Sequence, residues 1–173
     1  MFIHAVVTFL LSIFLGSAVA AQHVHPAPAS PPSSTATSAL TAEDVAQLLN
    51  GDGMGLAKPA ELNHYPGPKH VLELKKELAI TPEQEQRVEA IRRQMLERAQ
   101  AIGKRIVELE QALDGAFKAG RITEADLAQR VNGIAKLQGE LRTVHLQAHL
   151  VTKPVLTPEQ VARYYQLRGG HAH

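Results

Sequence analysis

The stretch "KAGRIT", Lys118–Thr123, separates two long runs of helical periodicity, and its shortness decides the fold. Upstream of it, Val88, Ile91, Met95, Ala99, Ile102, Ile106, Leu109, Leu113 and Phe117 step by three or four residues, which predicts one amphipathic helix starting at Pro82. Gly103 and Gly115 weaken that helix locally, and Gly120 stops it. Downstream, Thr123 is placed to cap a return helix carrying Leu127, Val131, Ile134, Leu137, Leu141, Val144 and Ala148, which Pro154 ends. Two long helices joined by so short a turn must lie antiparallel.

Further out, "ITPEQ" at Ile80–Gln84 and "LTPEQ" at Leu156–Gln160 are near copies. In each, the Thr side chain can accept from the N–H three residues on, Pro suits the first helical turn, and Gln can reach back to the cap. The second copy starts a short last helix with Val161, Tyr164 and Leu167 on one face. Before the first copy, a helix from Pro68 carries Val71, Leu74 and Leu78 and runs to the Thr81 cap. "TAED" at Thr41–Asp44 opens another short helix, with Leu40 and Val45 spaced as a hydrophobic staple, and "NGDGMG" stops it after Asn50. The expected fold is all-α: a long antiparallel helical hairpin with short flanking helices, hook-like.

Composition narrows the function classes. Eighteen Lys and Arg against 17 Asp and Glu leave a formal charge of +1 over 173 residues, too little to recruit nucleic acid. Without cysteine, disulfides and thiolate metal sites are excluded, leaving imidazole, carboxylate and thioether as side-chain ligands; nine histidines are available. There is no nucleophile–base pair, no Gly-rich phosphate loop and no carboxylate pair with a reason for shifted pKa values, so the chain reads as a non-enzyme.

At the N-terminus, "AVVTFLLSIFL" (Ala5–Leu15) followed by "AVA" (Ala18–Ala20) has the form of a secretory signal with its cleavage site. Residues 1–20 are therefore expected to be removed and the remainder to be periplasmic, an uncleaved membrane anchor being the alternative. Cleavage after Ala20 would leave Ala21-Gln22-His23, whose amine, amides and His23 imidazole can wrap Cu(II) or Ni(II); cleavage after Ala21 would destroy that site. Residues 21–40, rich in Pro, Ser and Ala, read as a disordered linker, 41–168 as the helical domain, and 169–173, "GGHAH", as a histidine-containing tail.

The candidate chemistry lies in "RTVHLQAHLV", Arg142–Val151. His145 and His149 are one turn apart on the return helix, where two imidazoles can ligate one ion. They lie roughly 40° and 80° from the centre of the apolar face, on its flank. If the chain folds back at Thr81 and again near Arg121, His70 comes level with His149. Glu73 follows His70 at i+3 and Glu77 at i+7. His70, His145, His149 and Glu73 would then suit a divalent transition metal such as zinc, copper or nickel. The plainer alternative is a hydrogen-bonded flank of the core. Leu146 and Leu150, off the apolar face, need cover from a neighbouring helix, a second subunit or a client.

With these residues in view, the chain resembles the small periplasmic helical proteins marked by paired LTxxQ motifs, including Spy, CpxP, ZraP and CnrX. The resemblance rests on Ile80–Gln84 and Leu156–Gln160, with "PAELNHYPGPKHVLEL" (Pro59–Leu74) and "HLQAHL" similar to the metal-resistance branch. It implies a hooked helical hairpin, a homodimer without enzymatic activity, and one of two roles. The first is a heavy-metal-binding accessory or sensor. The second is an ATP-independent chaperone for unfolded clients, or an envelope-stress adaptor acting on a membrane sensor protein. The sequence departs from the sensors in lacking a second H-x3-H pair on the first domain helix and in having His at 149, so their full ligand set does not carry over.

Overall fold

The computed structural model describes residues 39–169. The expected signal segment, most of the linker, His23 and the last four residues lie outside the described residues. Among the described residues there are six α-helices, one 3-10 turn and no strand: α1 (Ala42–Asn50), α2 (Lys58–Glu61), α3 (Pro68–Glu73), α4 (Pro82–Lys118), α5 (Glu124–Thr152), a 3-10 turn (Lys153–Val155) and α6 (Pro158–Leu167). The all-α hairpin is as expected. None of these helices is long and apolar enough to cross a membrane.

The helix starts follow their caps. Thr41, Thr81 and Thr157 each close a reciprocal capping box, with Asp44, Gln84 and Gln160 respectively, and Thr123 accepts from the Asp126 N–H. The staple also forms, Val45 buried and Leu40 packed against the same cluster. α4 runs 37 residues, about 55 Å at the helical rise. Arg98 meets Gln147, Ala112 meets Arg130 and Leu109 faces Gly133, so rising positions on α4 meet falling ones on α5, an antiparallel register.

Two hydrophobic clusters hold the fold. In the first, Val45 and Leu48 of α1 pack with Ala99, Ile106 and Val107 of α4 and with Leu137, Leu141 and Val144 of α5. Gly103, expected to weaken α4, instead lets α1 approach: a Cβ there would lie 2.1 Å from the Leu48 carbonyl oxygen. In the second cluster, Val71 and Leu78 pack with Val88, Val155, Leu156 and Tyr164. At the hairpin tip Leu127 and Val131, expected in the core, are 37% and 46% exposed, because α1 covers the hairpin only further down.

The two TPEQ copies do more than start helices. Gln84 Oε1 accepts from its own Thr81 N–H at 2.9 Å, and Gln160 Oε1 from Thr157 N–H at 2.9 Å. The two amides also pair with each other, at 2.8 and 3.0 Å. Gln84 Nε2 donates further to the Val155 carbonyl at 2.9 Å, and Gln160 Nε2 to the Leu78 carbonyl at 3.2 Å. The starts of α4 and α6 are thereby clasped, with both amides satisfied.

One expected element is shorter. α3 leaves helical geometry after Glu73, and turns carry the chain through Ala79, whose φ is +48°. The apolar period of Val71, Leu74 and Leu78 continues across those turns, which is why periodicity alone extends the helix.

Candidate functional site

α5 brings His145 and His149 to the same side of the hairpin, and both are buried, at 3% and 6% exposure, rather than half-buried on a flank. The cover is the strap Tyr65-Pro66-Gly67-Pro68 leading into α3. His149 Nδ1 lies 2.8 Å from the Tyr65 carbonyl oxygen. A carbonyl only accepts, so Nδ1 carries the proton of that bond. The strap is itself anchored: Pro66 is fully buried, Lys153 Nζ sits 4.0 Å over the Tyr65 ring, and the His64 and Tyr165 rings lie 3.9 Å apart. Gly67 permits the close approach, since a Cβ there would fall 2.7 Å from His149 Cε1 and 3.0 Å from Nε2.

His145 is less well provided for. Its Nε2 is buried and finds no hydrogen-bond partner among the described residues. Burial pushes its pKa down and the neighbouring His149 adds to the effect, while Asp52 pulls the other way. The ring is therefore held neutral at ordinary pH. A buried polar atom left without a partner costs about 1–3 kcal/mol.

His70 reaches the same place from α3. Its Nδ1 is 2.9 Å from Glu61 Oε1 and 3.4 Å from the Tyr164 hydroxyl, which also accepts from Gly67 N–H at 3.4 Å. Because a carboxylate accepts, His70 also donates through Nδ1 and presents Nε2. The carboxylate is Glu61 of α2, not Glu73: α3 ends at Glu73, whose exposed side chain faces Lys69 at 4.0 Å. Glu77 is exposed on the turns that follow.

His70, His145 and His149 line one cavity of about 300 Å³. Met54, Met95, Asp52 and Glu61 line it as well, and Lys58, Lys69 and Arg92 add three cations against those two carboxylates. All three imidazoles line the cavity, yet among the described residues no group of three or more His, Cys, Asp or Glu side chains is placed to hold an ion as they stand.

Glu61, Gly67, the Tyr65 carbonyl and the two methionines are the site residues that sequence reasoning did not supply. The dense Pro and Gly punctuation of "NHYPGP" and "NGDGMG" was the available signal, since such segments place backbone close to other groups. Compared with known protein families, curated proteins and solved structures, the chain matches none.

Proposed function

We propose that the chain is a metal-binding accessory or sensor protein that captures a transition-metal ion through His145 and His149. The observation that carries this is the buried Nε2 of His145, without a hydrogen-bond partner among the described residues, on a ring that lines the same cavity as His149. Metal-ligating imidazoles characteristically donate their other N–H to a carbonyl or carboxylate, which orients the ring. His149 does so to Tyr65, and His70 to Glu61. Neutral imidazoles suit zinc, copper and nickel, and His70 lines the same cavity. An exported location follows from the apolar run at Ala5–Leu15 and the A-V-A triplet behind it.

The test is a titration of Zn(II), Cu(II) and Ni(II) into the full chain with His23, His25, His171 and His173 replaced by Ala, then with His145→Ala or His149→Ala added. One equivalent of binding is expected to disappear in each added variant. Unchanged binding removes the pair from consideration.

A second reading, a chaperone or signalling adaptor, is favoured by a different observation. Leu150 and Val151 are 56% and 51% exposed and border a cleft of about 310 Å³ with Ile91, Met95 and Val144. Such a patch suits an unfolded client, a membrane sensor protein or a second subunit. Suppression of client aggregation without metal supports this reading, and no suppression at several-fold excess counts against it.

A further inference from the structure

We infer that the cavity is built for monovalent copper, Cu(I), held by His145, His149 and the thioether sulfur of Met54 or Met95. The inference rests on the reading of the histidine pair as a metal site and narrows it to one ion class.

The donor chemistry carries it. Apart from Met1, the chain has two methionines, and both line the cavity that holds the pair, although they come from elements far apart in sequence. Thioether sulfur is a soft ligand that selects Cu(I), while imidazole accepts it equally well. A structural Zn(II) site is usually closed by four protein donors, and among the described residues no third His, Cys, Asp or Glu is placed with the pair to hold an ion.

Backbone geometry and charge point the same way. Met54 has a φ of +45°, a left-handed conformation uncommon for a long side chain. Strain of this kind gathers at ligand clamps, and here it lies in the "GDGMG" loop that lines the cavity. Imidazole and thioether are neutral, so they leave the ion's charge uncompensated. In a lining where cations outnumber carboxylates and Glu61 is already engaged by His70, one positive charge costs less than two.

The experiment is an anaerobic competition for Cu(I) against a chromogenic chelator, on the full chain lacking its tail histidines. A parallel Zn(II) titration and X-ray absorption at the copper edge accompany it. Met54→Leu/Met95→Leu, close to volume-conserving, is expected to weaken Cu(I) binding by about tenfold or more, to leave Zn(II) binding unchanged, and to abolish the sulfur shell present in the parent. His145→Ala is expected to weaken both ions. Unchanged Cu(I) affinity in the methionine variant overturns the Cu(I) assignment and leaves the histidine site standing. Unchanged binding of both ions by His145→Ala and His149→Ala overturns the site as well. Should the methionine variant fail to fold, by circular dichroism, the parent's absorption spectrum decides: a copper shell without sulfur overturns the inference.

Discussion

Two polar pairs sit near the base of the hairpin, the glutamines half-buried and the histidines buried, and they are built to opposite specifications. At the clasp, Gln84 and Gln160 satisfy each other, two cap N–H groups and two carbonyls just ahead of those caps, of Leu78 and Val155. At the cavity, His149 bonds the Tyr65 carbonyl through Nδ1, and His145 Nε2 has no partner among the described residues. Folded chains leave few buried polar atoms unpaired, because each costs free energy that packing must offset. A closed network reads as architecture. An open one, maintained at a cost within a few residues of a well-made network, reads as a place held for something else.

The contrast can be broken at either end. Gln84→Ala removes both bonds to the Gln160 amide together with those to the Thr81 N–H and the Val155 carbonyl, and is expected to cost about 3 kcal/mol in denaturant unfolding. Combined with Gln160→Ala, the loss should fall short of the sum by about 1 kcal/mol; full additivity would mean the amides do not act as a unit. Gly67→Ala drives a methyl group into the His149 ring and should cost about 2 kcal/mol, with loss of the Tyr65–His149 bond visible in the His149 ring nitrogen chemical shifts. Thr157→Ala, which removes one cap from α6, is expected to cost about 1 kcal/mol.

The smallest stability effect belongs to the group the proposed function depends on most. His145→Leu removes the nitrogen that lacks a partner among the described residues and should change stability at neutral pH by less than about 1 kcal/mol, in either direction. It should also remove a pH dependence. The His145 pKa in the folded chain lies below its ordinary value of 6.5. Below 6.5 the unfolded chain therefore takes up a proton that the native ring does not, and stability falls with pH until the lowered native value is passed. Above 6.5 that contribution is fully retained. Thermal unfolding between pH 8 and 5 checks it: His145→Leu should show a shallower decline than the parent, and equal slopes would remove His145 as the cause.

Local signals made the scaffold legible. Four Thr caps, the heptad-like spacing on α4 and α5 and the short "KAGRIT" turn are all near-neighbour features, and the all-α hairpin follows from them. What escaped depends on contacts between distant positions. The Gln84–Gln160 pairing joins positions 76 residues apart, and nothing within either motif announces its partner. Counting helical rise brings His70 level with His149, and both line one cavity. Its carboxylate was assigned to Glu73 by spacing, whereas Glu61 reaches it from a four-residue helix too short to leave a periodic signature. The burial of the two histidines was underestimated because a strap of Tyr, Pro and Gly has no amphipathic pattern to reveal what it covers.

The clasp has a dynamic consequence. By tying the first turn of α4 to the first turn of α6, it turns the intervening chain into a non-covalent loop whose closure entropy is already spent. Opening at the far bend, where Leu127 and Val131 are poorly covered, can then proceed without releasing the closed end. Amide exchange should be fast at the bend and slow beside Gln84 and Gln160, as in a tuning fork whose prongs move while the stem is gripped.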